Sequence, residues 1–228
     1  MIVQPRLVPV SDRAVLVELG TAVAPEVQER VWALDRALRA DPVAGQVELV
    51  PAMVNLLVVF DPLLTDHAAV EIAVEARLGR LDQAGMGGAE HEVLVCYDAP
   101  FGRDLGTVAA DSDLSVEAAI TAHLGGDYRV SMYGFAPGYA YLTGVPDVIQ
   151  RPRKAAPVRA VPAGSVIIAG GQCLVTTLTM PTGWWVIGRS PTQILTGDPE
   201  RPFLFDVGDR VRFRRILAAD MAAKEKIG

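Results

Sequence analysis

Val15, Val17 and Leu19 alternate with Leu16 and Glu18, a mostly apolar run that predicts a buried strand ended by Gly20. From Pro25 the period changes. Proline suits the first turn of a helix, and Val27, Val31, Leu34 and Leu38 then recur at helical spacing until Asp41-Pro42 stops them. This predicts an amphipathic helix with one buried stripe. Val47 to Val50 and Asn55 to Phe60 read as two strands split by Pro51. Thr65 or Asp66 then caps a second helix that buries Val70, Val74, Leu78 and Leu81. The order is βαββα. Gly85-Met86-Gly87-Gly88 reads as a flexible linker, after which His91 to Tyr97 resumes as a strand.

The texture then alters. Arg103 to Ala110 and Ser115 to Leu124 predict two short helices. From Tyr128 onward, glycines and prolines punctuate short β-rich runs, the signature of a barrel or sandwich. Near the end Val211 and Phe213 point inward, while Arg210, Arg212 and Arg214 point outward from one strand as a solvated face. These features divide the chain into an N-terminal α/β domain over 1–88 and a β-barrel domain over 89–228.

Composition narrows the function. Of 228 residues, 50% are hydrophobic and 21% charged, and 21 basic against 27 acidic side chains leave a net charge of −6. No basic footprint exists for nucleic acid or an anionic membrane surface. The mean hydropathy is +0.28, yet the longest apolar run, Met53 to Phe60, contains Asn55 and falls far short of the ~20 residues that span a bilayer. The segment Met1 to Arg6 lacks the pattern of a secretory signal, so a cytoplasmic location is expected. Cys96 and Cys173 stand apart with no CxxC, and with three histidines the chain offers no metal-ligand cluster.

The segment Tyr133-Gly134-Phe135-Ala136-Pro137-Gly138-Tyr139-Ala140-Tyr141-Leu142 carries the densest signal. Pro137 and Gly138 predict a type II turn, and Tyr139 and Tyr141 share one face of the extended segment after it. The turn is either aromatic core packing or a loop whose backbone N–H groups approach an anion. Glycine turns at Gly164, at Gly170-Gly171 and at Gly183 follow, and with Gln172, Trp184 and Arg189 they resemble the rim of a small-molecule site. P-loop, GxGxxG and GxSxG patterns are missing. His67 and His91 are expected at exposed element starts. His123 falls on the apolar side of its helix, as a hydrogen-bonded core histidine or as a general acid or base.

Five segments together resemble a known family. Gly134-Phe135-x-Pro137-Gly138-Tyr139-x-Tyr141-Leu142 is followed by Arg151-Pro152-Arg153-Lys154 and Val161-Pro162-Ala163-Gly164-Ser165-Val166. Gly170-Gly171-Gln172 and Gly183-Trp184-x-x-Ile187-Gly188-Arg189-Ser190-Pro191 complete the set. In this order they are similar to the KipI/PxpB family, also described as allophanate hydrolase subunit 1 or carboxyltransferase domain subdomain A. The resemblance implies an α+β protein, with a ferredoxin-like α/β sandwich followed by a cyclophilin-like β-barrel. It implies the small subunit of an ATP-dependent 5-oxoprolinase, opening 5-oxoproline to glutamate. A homologous larger subunit of the PxpC or allophanate hydrolase subunit 2 type, and a PxpA-type subunit, are the implied partners, with ATP held mainly on a partner. A sensor-kinase inhibitor of the KipI kind and a carboxyltransferase fragment of a urea carboxylase-like system are the alternatives. The candidate catalytic residues are His123, from its place on its helix, and Gln172 and Arg189, from these motifs. The candidate substrate-binding residues are Phe135, Pro137, Gly138, Tyr139, Tyr141, Arg153, Gly170, Gly171 and Trp184, with backbone N–H groups near Gly138 and Gly171 facing developing charge. The chain departs from the family pattern at Ala136, Val158, Cys173, Leu174, Thr176 and Thr182.

Overall fold

The computed structural model describes residues 4–81 and 88–224, so the expected linker at Gly85-Met86-Gly87 and the first three residues lie outside the described residues. The chain divides into two compact units, Met1–Gly87 and Gly88–Gly228.

In the first unit β1 (Arg6–Val10) and β2 (Ala14–Glu18) form a hairpin ahead of α1 (Pro25–Ala40), β3 (Gln46–Pro51), β4 (Asn55–Phe60) and α2 (His67–Leu78). The sheet is antiparallel throughout, in the order β1-β2-β4-β3. Pro25 opens α1 as expected, and Val27, Val31, Leu34 and Leu38 are all buried. Asp66 caps α2 by accepting the Ala69 N–H at 2.9 Å. Pro51 is the last residue of β3, and the expected break between the two strands follows it. The sequence pattern missed β1, because Pro9 argues against a strand. Proline is tolerated where the N–H side of a strand has no partner, and both Pro9 and Pro51 sit on the two edge strands of this sheet. A ferredoxin-like unit closes with a strand after its second helix. Here the fourth place in the sheet is filled by β1, before the first helix.

The second unit runs β5 (Glu90–Cys96), α3 (Leu105–Asp111), α4 (Val116–Leu124), β6 (Tyr128–Tyr133), β7 (Ala140–Thr143), β8 (Val158–Val161), β9 (Ser165–Ala169), β10 (Gln172–Val175), β11 (Met180–Thr182), β12 (Trp185–Arg189), β13 (Arg210–Ile216) and α5 (Ala218–Lys224). Seven strands close a barrel in the order β10-β7-β6-β13-β5-β12-β9, while β8 and β11 form a separate two-stranded ribbon. Strand β13 pairs parallel to β5 along its whole length and antiparallel to β6 on its other side. Its alternation is as read from sequence: Val211 and Phe213 are buried, while Arg212 and Arg214 pair outside with Glu90 and Glu92. Inside the barrel Val93, Val95, Tyr128, Leu142, Ile168, Cys173 and Phe213 form the main core, on which α3 and α4 pack through Val108 and Ile120. The protein is thus α+β with a closed barrel. Among the described residues no helix is long and apolar enough to cross a membrane.

Candidate functional site

Alternation along the barrel strands sorts the candidate residues into two groups. On β7, Ala140 and Leu142 face the interior and Tyr141 faces out. On β9, Val166 and Ile168 face in while Ile167 and Ala169 face out, and on β10 Cys173 faces in while Leu174 faces out. Gln172 stands two residues before Leu174 and so shares the outer face. Tyr139, Trp184 and Val186 join the same outer cluster. Tyr139, Tyr141, Gln172 and Trp184 therefore stand on one side of the wall.

His123 stands on the other. It is 1% exposed, its Nδ1 is 2.7 Å from the Tyr97 hydroxyl, and its Nε2 is 3.7 Å from Cys173 Sγ. The rings of Tyr128 and Phe213 enclose it. Burial pushes its pKa down to about 3, and pushes the thiol of Cys173 and the phenol of Tyr97 up. A neutral imidazole sealed in the core reaches no substrate on the outer face, so the structure corrects the catalytic assignment of His123: it is a core histidine.

The outer cluster is itself a small second core. The β8–β11 ribbon closes over it, with Val158, Val161 and Met180 packed on Ile167 and Leu174. Trp184 is 5% exposed and Tyr139 3%, so both are wall members and not an open rim. Gln172 lies at the hairpin end, paired with Ala169 and Thr143. Arg189 pairs with Ser165 at the opposite end of β12, five positions beyond Trp184 and so roughly 16 Å away along the strand. The fold does not bring Arg189 to the Trp184 corner.

It does bring Arg153 there. The strap 151–154 is tied at three successive anchors: Gly170 donates its N–H to the Arg151 carbonyl at 2.7 Å, Trp185 donates its indole N–H to the Pro152 carbonyl at 2.7 Å, and Lys154 donates its N–H to the Gly183 carbonyl at 2.7 Å. Lys154 also places its ammonium 2.5 Å from Asp104, whose same oxygen accepts the Val186 N–H at 2.8 Å. Between these anchors the Arg153 guanidinium lies 5.6 Å over the Trp184 ring. The Tyr141 ring meets Trp184 edge-on at 5.8 Å. Burial raises the Tyr141 phenol and Arg153 draws it back down, while Tyr139 is raised by burial and then by Tyr141. The Tyr139 hydroxyl is buried with no hydrogen-bond partner among the described residues.

The turn before Tyr139 is of the expected type. Tyr139 donates its N–H to the Ala136 carbonyl at 3.1 Å and Gly138 takes φ 73°. The close approach that requires glycine is made by the chain itself, however. A Cβ on Gly138 would stand 2.7 Å from Leu195 Cδ2 and 2.9 Å from Thr177 Cγ2. Thr177 also donates its hydroxyl to the Pro137 carbonyl at 2.6 Å, which holds that residue in the turn. Phe135 sits at φ 71° with its side chain 80% exposed. In the Gly170-Gly171 hairpin Gly170 takes φ 53°, as the first position of such a turn requires, and its N–H is used by the strap and not by an anion. Asp104, Lys154, Thr177 and Leu195 were absent from the sequence-based site. Of these, Lys154 alone carried a signal, as the end of the Arg-Pro-Arg-Lys segment.

The groups that meet at this corner are donors: one guanidinium and two phenols. Such a set binds and orients an anion. Among the described residues no group of three or more His, Cys, Asp or Glu side chains could hold a metal.

The family described as carboxyltransferase domain, subdomain C and D, matches residues 5–205. The chain belongs to this carboxyltransferase-domain family. Within it, the chain is 33% identical over 234 residues to the B-type subunit of 5-oxoprolinase from Bacillus subtilis, covering 98% of both chains. Together with the matching family model, that relative places the chain with the KipI/PxpB proteins. The crystal structure of TTHA0988 is similar at 34% identity and a TM-score of 0.79, over 90% of this chain. The chain spans 40% of the length of that solved protein. The urea carboxylase of Kluyveromyces lactis has the same fold at 17% identity, with a TM-score of 0.71 over 96% of this chain and 22% of its own. The carboxyltransferase-domain fold is thus found in a chain of this length and inside much longer ones.

Proposed function

We propose that this protein is the small subunit of a heteromeric, ATP-dependent 5-oxoprolinase-type amidohydrolase that opens 5-oxoproline to glutamate together with partner subunits. Its second unit serves as the cyclophilin-like part of that subunit, which works in the cytoplasm. The observation that carries this reading is the corner where Arg153, Tyr141 and Trp184 meet on the outer barrel face, in a chain 33% identical over nearly its whole length to a protein named as a 5-oxoprolinase subunit.

The lactam amide is unactivated, so water does not displace its nitrogen unaided. Transfer of the γ-phosphoryl group of ATP to the amide oxygen makes that oxygen a leaving group. One water adds to the carbon, the C–N bond breaks as the nitrogen takes a proton, leaving an acyl phosphate, and a second water attacks that acyl phosphate to give the carboxylate and release phosphate. ATP binds mainly on a partner subunit, the homologous larger subunit of the PxpC type or a PxpA-type subunit. This chain contributes orientation: Arg153 and the phenols hold substrate, and Gln172 at the adjoining hairpin end supplies an amide at the rim.

Co-expression with both partner types, followed by purification and assay of glutamate and phosphate release, tests this reading. A stable complex that forms glutamate from 5-oxoproline only with ATP is expected, and the purified chain alone is expected to form none. Robust turnover by the chain alone sinks the split site.

A further inference from the structure

We propose that the hydroxyls of Tyr139 and Tyr141 and the Arg153 guanidinium form a binding site for the carboxylate of a small cyclic acid, in which Tyr139 is a donor whose acceptor arrives with the ligand. The inference rests on the outer face being the substrate face, and narrows it to three side chains and one functional group.

Tyr139 provides the first ground. Its residue is 3% exposed and its oxygen has no partner among the described residues. A buried hydroxyl left unmet is costly, whereas phenylalanine fills the same volume without that cost. A structural role alone gives no reason for the oxygen.

The second ground is what lies beyond it. Tyr141, half-buried, follows two positions along the same face, and exposed Arg153 follows that, so the donors run from the wall outward to solvent. Arg153 is held by the Trp184 face at 5.6 Å and by the anchored strap on either side of it. Among the described residues no carboxylate pairs with Arg153 within 4.0 Å. One positive charge with two neutral donors matches a monoanion with two acceptor oxygens, and falls short of the charge a phosphate dianion needs. Phe135, with its ring 6.0 Å from that of Tyr139, is 80% exposed and moves aside without opening the core.

The test is a titration of the full chain, and of the assembled enzyme, with 5-oxoproline, its neutral carboxamide and inorganic phosphate, followed by calorimetry or NMR. The acid is expected to bind at least about tenfold more tightly than the carboxamide or phosphate, the size of one charge-assisted hydrogen bond. Tyr139→Phe is expected to weaken binding of the acid about tenfold while leaving the melting temperature unchanged or higher, a pairing that a merely structural tyrosine does not produce. Arg153→Gln, at an exposed side chain, is expected to weaken it likewise in a folded protein. Equal affinity for acid and carboxamide, tighter binding of phosphate, wild-type affinity in Tyr139→Phe, or no binding in chain or complex overturns the proposal. If the complex turns over 5-oxoproline with KM untouched by Tyr139→Phe, the carboxylate site fails and the function stands. If cyclopentanecarboxylate binds in a Tyr139-dependent way but 5-oxoproline is never processed, the site stands and the function fails.

Discussion

The Tyr97 hydroxyl lies 2.7 Å from Nδ1 of His123, on the inner side of a barrel wall whose outer side carries Tyr141 and Gln172. Because that contact is sealed, protonation of His123 is a stability event. Its pKa falls from the ordinary ~6.5 to about 3. The unfolded chain binds a proton below ~6.5 that the folded chain refuses until about 3, so stability drops as pH falls through that window. The slope contributed by this one group approaches about 1.4 kcal/mol per pH unit. Urea unfolding at pH 7.5 and 5.0 measures it. His123→Gln is expected to be less stable at pH 7.5 by about 1–3 kcal/mol and to lose less on acidification. An unchanged acid slope in the variant contradicts the assignment.

Asp104 joins α3, β12 and the strap by accepting from both Lys154 and the Val186 N–H. Its removal leaves a nearly buried ammonium and a backbone donor unpaired. Asp104→Ala is expected to cost about 2–3 kcal/mol, seen as a lower denaturation midpoint. It should also speed hydrogen exchange at the Lys154 amide, since the strap is then held by its backbone anchors only.

Gly138 is required twice, by its φ of 73° and by the nearness of Leu195 and Thr177. Gly138→Ala is expected to destabilise the chain by about 2–4 kcal/mol, combining left-handed strain with the clash. Trimming Leu195 to alanine in the same chain relieves only the clash part, so the double variant is expected to recover less than the full loss.

Phe135 bears a similar backbone cost, with a tilted ring contact to Tyr139 at 6.0 Å and an otherwise exposed side chain. Phe135→Gly is expected to leave stability within about 1 kcal/mol of wild type, because relief of strain offsets the added freedom of the unfolded chain. A loss well beyond that in thermal unfolding refutes the view that the side chain is spare to the fold.

The local signals in the sequence translated well where one residue decides the outcome. Pro25 opens α1, Asp66 and Ser115 cap their helices, Pro137-Gly138 makes its turn, and the Arg210, Arg212, Arg214 row faces out. What stayed hidden was long-range. Val158–Val161 pairs with Met180–Thr182 across an intervening hairpin, and that ribbon turns Trp184 from an expected rim residue into a buried one. Asp104 meets Lys154 across fifty positions with no pattern to announce it. For His123, periodicity placed it correctly on the apolar face, but only the rings of Tyr97, Tyr128 and Phe213 show that the face is sealed. Arg189 matched a motif, yet strand length carries it away from the corner its neighbours form.

Strand β13, from Arg210 to Ile216, fills the slot between β5 and β6 and is the last strand of its unit to be synthesised. Until it emerges from the ribosome, the barrel is an open sheet with two bare edges. Both edges are templates for a foreign strand during that interval. The barrel therefore closes only once β13 has followed the other six strands out of the ribosome, and until then the edges of β5 and β6 are open to mispairing.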